Sequence, residues 1–149
     1  MKILIIGGTR HMGHMLATAL HESGHQVSVL NRGITRDDLP DGIQRLRADR
    51  TVPAQLEQAL AGYEFEVVVD FVLYSGTEAQ VAVELFQGKV GHYIFISSGQ
   101  VYLLREGISR PFSEDEYDGP LIDEPELNTY DHEEWAYGLQ KRRAEDVLA

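Results

Sequence analysis

The last predicted helix of the chain carries a tyrosine and a lysine that together could transfer a proton. Tyr137 and Lys141 are four residues apart, and this spacing places both side chains on one face of a helix. A phenol has a pKa of ~10 and is a poor base at neutral pH, but a nearby ammonium group stabilises the phenolate. The pair is therefore a candidate acid–base group with its activating cation, although the spacing alone is common in helices.

A glycine-rich turn, Gly7-Gly8-Thr9-Arg10-His11-Met12-Gly13, follows the first apolar run. Glycines in such a turn let the backbone approach a pyrophosphate, and the following helix offers free amide groups and a positive dipole end. The turn therefore predicts a dinucleotide site, and the alternative is a tight strand–helix turn that binds no ligand. The residues predicted to contact the dinucleotide here are Gly7, Gly8, Thr9, Arg10, Met12 and Gly13.

The end of the second predicted strand bears on which dinucleotide is bound. Asn31 and Arg32 stand there, where an NAD site commonly has an acidic residue for the ribose 2′-hydroxyl. With Arg10 nearby, Arg32 suits the 2′-phosphate of NADP(H) better. The sequence thus predicts NADP(H) over NAD(H), and the alternative is that Arg32 is a solvated loop charge.

Histidine and cysteine give little sign of metal or thiol chemistry. His11 and His14 have a spacing found in metal sites, but no third ligand is evident. We therefore predict no metal site and interpret both as solvated or cofactor-side residues. Cysteine is absent, which excludes a disulfide framework, a thiolate nucleophile and a Cys-type zinc site.

Short β-type apolar runs alternate with helical periodicity along the chain. The predicted strands are residues 3–6, 27–30, 43–48, 65–72 and 93–96. Predicted helices follow the glycine turn and lie near residues 53–60, 76–87 and 133–149. The apolar face of the first helix is predicted to contain Met12, Met15, Leu16, Ala19 and Leu20, with Gly24 as the C-terminal cap. Residues 103–132 have no clear period and are predicted to form a loop.

This alternation predicts an α/β fold, a doubly wound parallel sheet of the Rossmann type. The expected strand order is 3-2-1-4-5, with the ligand at the carboxyl ends of strands one and four. No residues are left for a sixth strand. We therefore expect residues 1–149 to form one incomplete dinucleotide-binding domain, truncated at the C-terminus. Asp70, inside the fourth strand, is interpreted as structural.

The net charge of −11 is unevenly distributed. Residues 103–134 contain eleven Asp and Glu residues against Arg105 and Arg110. This acidity argues against nucleic-acid binding, which needs basic surface. Apolar runs are too short to span a membrane, and the start of the chain lacks signal-peptide features, so a cytoplasmic protein without a membrane partner is expected.

Residues 94–102, Ile-Phe-Ile-Ser-Ser-Gly-Gln-Val-Tyr, closely resemble the end of the fifth strand in extended short-chain dehydrogenases/reductases. In that family the catalytic serine or threonine stands four residues before a tyrosine, which corresponds here to Ser98 and Tyr102. The turn at residues 7–13 resembles a Gly-Gly-Thr-Arg variant of the family pattern, with Arg10 in place of the second glycine. Phe112-Ser113-Glu114-Asp115 is similar to an acidic segment of the family. The chain is thus identified as resembling the NAD-dependent epimerase/dehydratase type over its whole length.

The resemblance implies catalytic roles for Ser98, Tyr137 and Lys141. Tyr137 would exchange a proton with a substrate hydroxyl or carbonyl, Ser98 would hydrogen-bond the same oxygen, and Lys141 would hold the nicotinamide ribose. Asp49 corresponds to an adenine-contacting acid, and Phe71 is predicted to contact the cofactor. Family members commonly dimerise through two helices per subunit, which implies a homodimer through residues 76–87 and 133–149.

The resemblance implies an NAD(P)-dependent oxidoreductase or epimerase acting on a sugar-nucleotide-like or other small hydroxyl or keto substrate. Gly99 and Gln100 stand where dehydratase members have an acid pair, which makes a dehydratase less favoured. One alternative is a non-catalytic NADP-binding sensor or partner-binding module; another is a natural truncation with neither activity. Because the family's substrate-binding domain is absent from these residues, we expect the 149-residue chain to be inactive alone.

Overall fold

The computed structural model describes residues 1–149. The strands are β1 (Lys2–Ile6), β2 (Gln26–Asn31), β3 (Gln44–Arg47), β4 (Val67–Asp70) and β5 (His92–Phe95). The helices are α1 (His11–Glu22), α2 (Pro53–Leu60), α3 (Gly76–Phe86), α4 (Gln100–Leu103) and α5 (Tyr130–Leu148), with a 3-10 turn at Glu114–Glu116. The chain divides into a sheet unit, Met1–Leu73 with Val81–Ile96, and a helical unit, Tyr74–Gln80 with Ser97–Ala149.

The sheet unit is built on five parallel strands in the order β3-β2-β1-β4-β5, which confirms the predicted topology. β1 forms its centre because Ile3, Leu4, Ile5 and Ile6 are apolar on both faces, and all four are buried. The weak third strand is present, and its register sets Asn31 opposite Arg47. The carboxyl ends of the strands therefore share one edge, where the predicted cofactor residues begin.

The core-facing side of α1 differs from the prediction. Ala17 is fully buried, and Leu16 and Leu20 pack against a core cluster that includes Ile5 and Val29. Met12 and Met15, expected on the buried face, are 63% and 71% exposed, and Ala19 of the same predicted face is also exposed. The physical reason is the close approach at residue 13: a Cβ on Gly13 would lie 2.7 Å from the Gly7 carbonyl oxygen. This contact sets the rotation of α1, so that the residues on Gly13's face turn inward.

β4 is shorter at both ends than the predicted strand of residues 65–72. At its carboxyl end the Val72 amide donates to the Asp70 side chain at 2.9 Å, and this local bond turns the backbone out of the sheet. At the amino end the Phe65 ring stacks on Tyr63, with centroids 6.1 Å apart. The predicted strand was therefore correct in position and too long by two residues at each end.

The helical unit contains more regular structure than was predicted. α5 begins at Tyr130, three residues before the predicted start, because Thr129 caps it by accepting a hydrogen bond from the His132 amide at 3.2 Å. The loop predicted over residues 103–132 contains the end of α4 and the 3-10 turn. Buried Arg142 ties this segment to α5: its guanidinium lies 3.5 Å from the Tyr117 ring centroid and donates to the Tyr117 carbonyl.

None of the helices is both long enough and apolar enough to cross a membrane.

Candidate functional site

The glycine turn of the sheet unit passes so close to neighbouring residues that larger side chains would clash with them. Gly7 has a φ of +87°, and a Cβ there would lie 2.7 Å from Val72 Cγ1. Gly8 is buried, and a Cβ there would lie 2.7 Å from Val29 Cγ1. Together with the close contact between Gly13 and Gly7, these approaches bring the start of α1 directly onto the turn. The three predicted glycines are thus brought together at the carboxyl end of β1.

The first turn of α1 has amide groups that no side chain caps. Arg10 is the N-cap residue in an extended conformation, with no side-chain capping bond. Its guanidinium instead donates from Nη2 to Thr35 Oγ1 at 2.7 Å, in the loop after β2. Thr9 is half-buried and Met12 is exposed. Uncapped amides at the positive end of a helix dipole are the donors that a pyrophosphate needs.

The end of β2 presents a buried amide donor and a set of arginines. Asn31 Oδ1 accepts hydrogen bonds from the Gly33 amide at 2.7 Å and from Arg47 Nη1, whereas Asn31 Nδ2 is buried and has no partner within the chain. The Arg47 side chain lies against Gly33, where a Cβ would be 2.9 Å from its Cδ. Arg32 is exposed. An unpartnered buried donor next to cations is consistent with a ribose or phosphate group binding here.

Asp49 follows β3 and is already engaged locally. Its Oδ1 accepts from the Thr51 hydroxyl at 2.7 Å and from the Thr51 amide at 3.0 Å. These bonds lower the pKa of Asp49, and the nearby charge of Arg32 lowers it further. The carboxylate is therefore ionised at neutral pH. Two acceptor oxygens give it capacity for a further donor, such as an adenine amino group.

Asp70 is fully buried and is the centre of a hydrogen-bond network at the end of β4. Its Oδ2 accepts from Arg50 Nη1 at 2.6 Å and from the Tyr93 hydroxyl at 2.8 Å. Burial, together with the Asp70 charge, raises the pKa of Tyr93 far above its ordinary value. Phe71, the next residue, packs its ring against the core cluster. The Phe71 amide donates to the Ile6 carbonyl oxygen at 3.0 Å, and its side chain is only partly buried.

Ser98 lies in the helical unit, where it begins the turn into α4. Its hydroxyl oxygen accepts from the Gln100 amide at 3.2 Å, and this use of a lone pair leaves the hydroxyl proton to be donated. The α4 segment packs on α5 at Gly138, where a Cβ would lie 2.9 Å from the Gln100 carbonyl oxygen. Glycine at position 138 thus lets the Ser98 segment approach α5 next to Tyr137.

Tyr137 and Lys141 lie together on α5 as the spacing predicted. Lys141 is 1% exposed and Tyr137 is 38% exposed, so the phenol is accessible while the ammonium group is buried. Lys141 Nζ is 6.0 Å from the Tyr137 ring centroid and 4.9 Å from that of Tyr74. This arrangement sets a buried cation near an accessible phenol.

The histidines of α1 do not form part of a metal-binding group. No cluster of three or more His, Asp and Glu side chains in the chain could hold a metal ion. His14 Nε2 instead lies 2.9 Å from Asp38 Oδ1. His11 is exposed at the first position of the helix.

Three residues near the predicted site were not singled out from the sequence. Arg47 could have been found from the parallel register that sets it opposite Asn31, and Arg50 from its place directly after Asp49. Tyr74 follows the fourth strand, but nothing local indicates that it meets Lys141. Its contact joins residues 67 positions apart and needs the tertiary structure.

The profile of the NAD dependent epimerase/dehydratase family matches residues 3–149. A 2′-dehydrokanamycin reductase from Streptomyces kanamyceticus is 28% identical over 98 residues, covering 66% of this chain and 28% of that protein. The chloroplast stem-loop binding protein of 41 kDa b from Arabidopsis thaliana is 33% identical over 117 residues, covering 68% of this chain and 30% of that protein.

Solved structures of similar fold include a UDP-glucose 4-epimerase, with a TM-score of 0.74 and 22% identity over 99% of this chain and 46% of that chain. WbmG from Bordetella bronchiseptica, in complex with NAD and UDP, has a TM-score of 0.71 and 18% identity over 98% of this chain and 48% of that chain. The chain therefore spans less than a third of these two curated relatives and about half of these two structures.

Proposed function

Because the chain belongs to the NAD-dependent epimerase/dehydratase family, we propose that it supplies the cofactor-binding and acid–base part of an NADP(H)-dependent reductase or epimerase. The substrate carries a hydroxyl or keto group and is a sugar nucleotide or another small molecule. When bound, the nicotinamide of the cofactor supplies hydride chemistry. The residues of this chain bind that cofactor and move the proton.

The observation that carries the proposal is the arrangement around α5. An accessible phenol, Tyr137, lies one turn from the buried ammonium group of Lys141. Gly138 lets the Ser98 segment pack against the same stretch of helix. A purely structural helix would have no need for a lysine that is 1% exposed, since burying an ammonium group costs solvation free energy. The burial of Lys141 is explained if its positive charge acts on the phenol of Tyr137.

Each group in this arrangement has one role in the proposed reaction. Tyr137 Oη gives a proton to, or takes one from, the substrate oxygen. Ser98 donates a hydrogen bond to that oxygen and holds it in position. The Lys141 ammonium stabilises the phenolate and is the group that would hold the nicotinamide ribose.

The dinucleotide residues of the sheet unit support the same proposal. The glycine turn and the uncapped amides of α1 would hold the pyrophosphate, Asn31 Nδ2 the ribose, and Asp49 the adenine. We propose NADP(H) as the cofactor because β2 ends in Asn31 and Arg32 without an acid, and Arg47 reaches the same end. The related WbmG structure holds NAD, so this preference depends on the arginines of this chain.

The substrate class is proposed from relatives named as a 2′-dehydrokanamycin reductase and a UDP-glucose 4-epimerase, and from the UDP bound to WbmG. A reductase or epimerase is favoured over a dehydratase because Gly99 and Gln100 replace the acid pair that a dehydratase would need. Gly99 has no side chain, and the amide of Gln100 cannot donate or accept a proton as a carboxyl group does.

The proposed function is tested by Tyr137→Phe, with Tyr130→Phe as a matched control on the exposed start of the same helix. Turnover of keto sugar nucleotides with NADPH and the affinity for NADPH are measured in the protein that contains this chain. We expect Tyr137→Phe to lower kcat by about 10²-fold or more and to leave the affinity for NADPH nearly unchanged. Lys141→Met is expected to lower both kcat and the affinity for NADPH. Retention of most of the turnover by Tyr137→Phe would refute the role of this residue.

A second candidate function is a non-catalytic module that binds a dinucleotide and a partner. It is favoured by the 33% identity to a protein named for stem-loop binding. The acidic segment at residues 103–134 argues against RNA. We therefore expect no binding of stem-loop RNA at physiological salt. Tight RNA binding together with absent turnover would favour this second function.

A further inference from the structure

Tyr74 lies closer to the lysine of the proposed acid–base pair than Tyr137 does. The Tyr74 ring centroid is 4.9 Å from Lys141 Nζ, inside the ~6 Å limit of a cation–π contact. The Tyr137 centroid is 6.0 Å from the same atom, and the two rings lie 6.5 Å apart. The ammonium group is thus bracketed by two aromatic rings of the helical unit.

The burial of Lys141 makes these rings important. An ammonium group that is 1% exposed has lost nearly all of its hydration, and this loss must be offset by nearby negative charge or dipoles. The face of an aromatic ring carries partial negative charge and attracts a cation; Tyr74 is 48% exposed, and the ammonium group beneath it is the buried partner. The Tyr74 ring is therefore one of the groups that stabilise the Lys141 ammonium in its buried position.

Tyr74 is itself held in place by the start of α3. Its amide donates to Glu78 Oε2 at 2.6 Å, and the Glu78 amide donates to Ser75 Oγ at 3.2 Å. A Cβ on Gly76 would lie 3.2 Å from the Arg143 Cβ, so this turn of α3 sits directly on α5. The reciprocal bonds and the close helix contact fix the position from which the Tyr74 ring reaches Lys141.

We propose that Tyr74 is a positioning residue, whose ring face holds the Lys141 ammonium beside Tyr137. The inference rests on the proposed function, because it adds a partner to the same acid–base pair. Without the ring, the Lys141 ammonium loses one of the groups that offset its burial and hold it beside the phenol. The phenolate of Tyr137 then loses stabilisation, and proton abstraction requires a higher pH.

The contact is tested by NMR of the 149-residue chain with lysine labelled at the side chain. The chain contains only three lysines, Lys2, Lys89 and Lys141, and Lys141→Met assigns the signal. Protons above a ring face resonate upfield, so we expect an upfield Lys141 signal in the wild type and in Tyr74→Phe. Tyr74→Leu, and Tyr74→Met as a second ring-free variant, are expected to lose most of the shift.

The positioning role is tested by the pH dependence of kcat for alcohol oxidation in the protein that contains this chain. The rate rises with pH as the phenol loses its proton. We expect the rise to move to higher pH by about half a pH unit or more in Tyr74→Leu and Tyr74→Met, and to stay in place in Tyr74→Phe. A residue with a merely structural role would lower the rate without moving the profile.

The outcomes separate the inference from the proposed function. An upfield Lys141 signal that survives in both ring-free variants overturns the contact, and an unchanged pH profile in those variants overturns the positioning role. Equal effects in Tyr74→Phe overturn it as well, because the hydroxyl rather than the ring would then be responsible. Absence of turnover in the wild type overturns the proposed function and the positioning role with it, while the NMR result still reports the contact.

Discussion

β2 ends in Asn31 and Arg32 without an acid, and Arg47 stands at the carboxyl end of β3, two residues before Asp49. Arg47 binds Asn31 across the two strands, and Arg10 reaches the loop after β2 through Thr35. Arg32 is exposed at the same end, and its charge lowers the pKa of Asp49. At the residue scale, this distribution of charge suits a doubly negative 2′-phosphate better than a 2′-hydroxyl.

We therefore expect NADPH to bind more tightly than NADH by about ten-fold or more, since a charge-assisted hydrogen bond contributes roughly 1.5–3 kcal/mol. Arg32→Gln is expected to weaken NADPH binding and to leave NADH binding nearly unchanged, whereas Arg47→Gln also removes the hydrogen bond that holds Asn31 and should weaken the binding of both. The measurement is titration of the 149-residue chain with each dinucleotide, followed by fluorescence or calorimetry.

Lys89→Gln is the matched control, because it removes one positive charge that lies with Lys2 near the amino ends of the strands. It should change neither affinity. Equal affinities for the two dinucleotides in the wild type, or tighter binding of NADH, would contradict the proposed cofactor.

At the scale of elements, the β2–β3 connection is held by one arginine of β3. Arg45 donates to the carbonyl oxygens of Leu39, Pro40 and Ile43. It also donates to Asp37 Oδ1, from Nη2 at 2.8 Å and from Nε at 3.3 Å. A single side chain thus binds four residues of this connection and organises the loop behind the proposed ribose site.

This contact gives the stability of the chain a specific pH dependence. The bond from Arg45 lowers the pKa of Asp37 below its ordinary value of 3.8. A carboxyl group whose folded pKa is depressed stabilises the fold above its unfolded pKa, and the stabilisation is lost as pH falls through the folded pKa. Asp37 therefore contributes at neutral pH and stops contributing in acid.

We expect Asp37→Asn to lower the free energy of unfolding at pH 7 by about 1–3 kcal/mol. The difference from the wild type should shrink as pH falls from about 5 to below 3. Urea denaturation at several pH values measures it, with Asp41→Asn, an exposed neighbour, as the control. A difference that stays constant over this pH range would show that the Asp37 charge is not responsible.

At the scale of the whole molecule, α3 and α5 offer the surface through which we propose a homodimer. The buried residues of α5 are Gly138, Lys141, Arg142 and Ala144. On its other side Arg143 is exposed and Val147 is 37% exposed. Val147 thus lies on an exposed part of α5, where we propose that a partner binds, and Lys141 lies on the buried side.

We expect light scattering to give twice the mass of one chain at high protein concentration. Val147→Glu should shift the protein toward monomer, because it buries a charge in the proposed interface. Met15→Glu, at a position on α1 that is 71% exposed, should not. A monomeric mass for the wild type would contradict the proposed dimer.

The sequence by itself determined the features that depend on short spacings. Alternating periodicities predicted the five strands and their order, because a right-handed crossover leaves few parallel topologies. The glycine turn and the i, i+4 pair of Tyr137 and Lys141 could also be predicted, because residues close together along a turn or a helix stay close together in the fold. The predicted start of α5 was three residues too late, because Thr129 caps the helix through a polar side chain and the prediction relied on the spacing of apolar residues.

Only the tertiary structure decided which distant side chains meet. Arg50 and Asp70 are separated by 20 residues and Tyr93 and Asp70 by 23, and their network depends on how β3, β4 and β5 align. The outward rotation of Met12 and Met15 follows from the contact of Gly13 with Gly7, which helical periodicity does not contain. Tyr74 reaches Lys141 because Gly76 lets α3 pack closely on α5. Such contacts arise from packing between elements, which the sequence pattern of a single helix or strand does not predict.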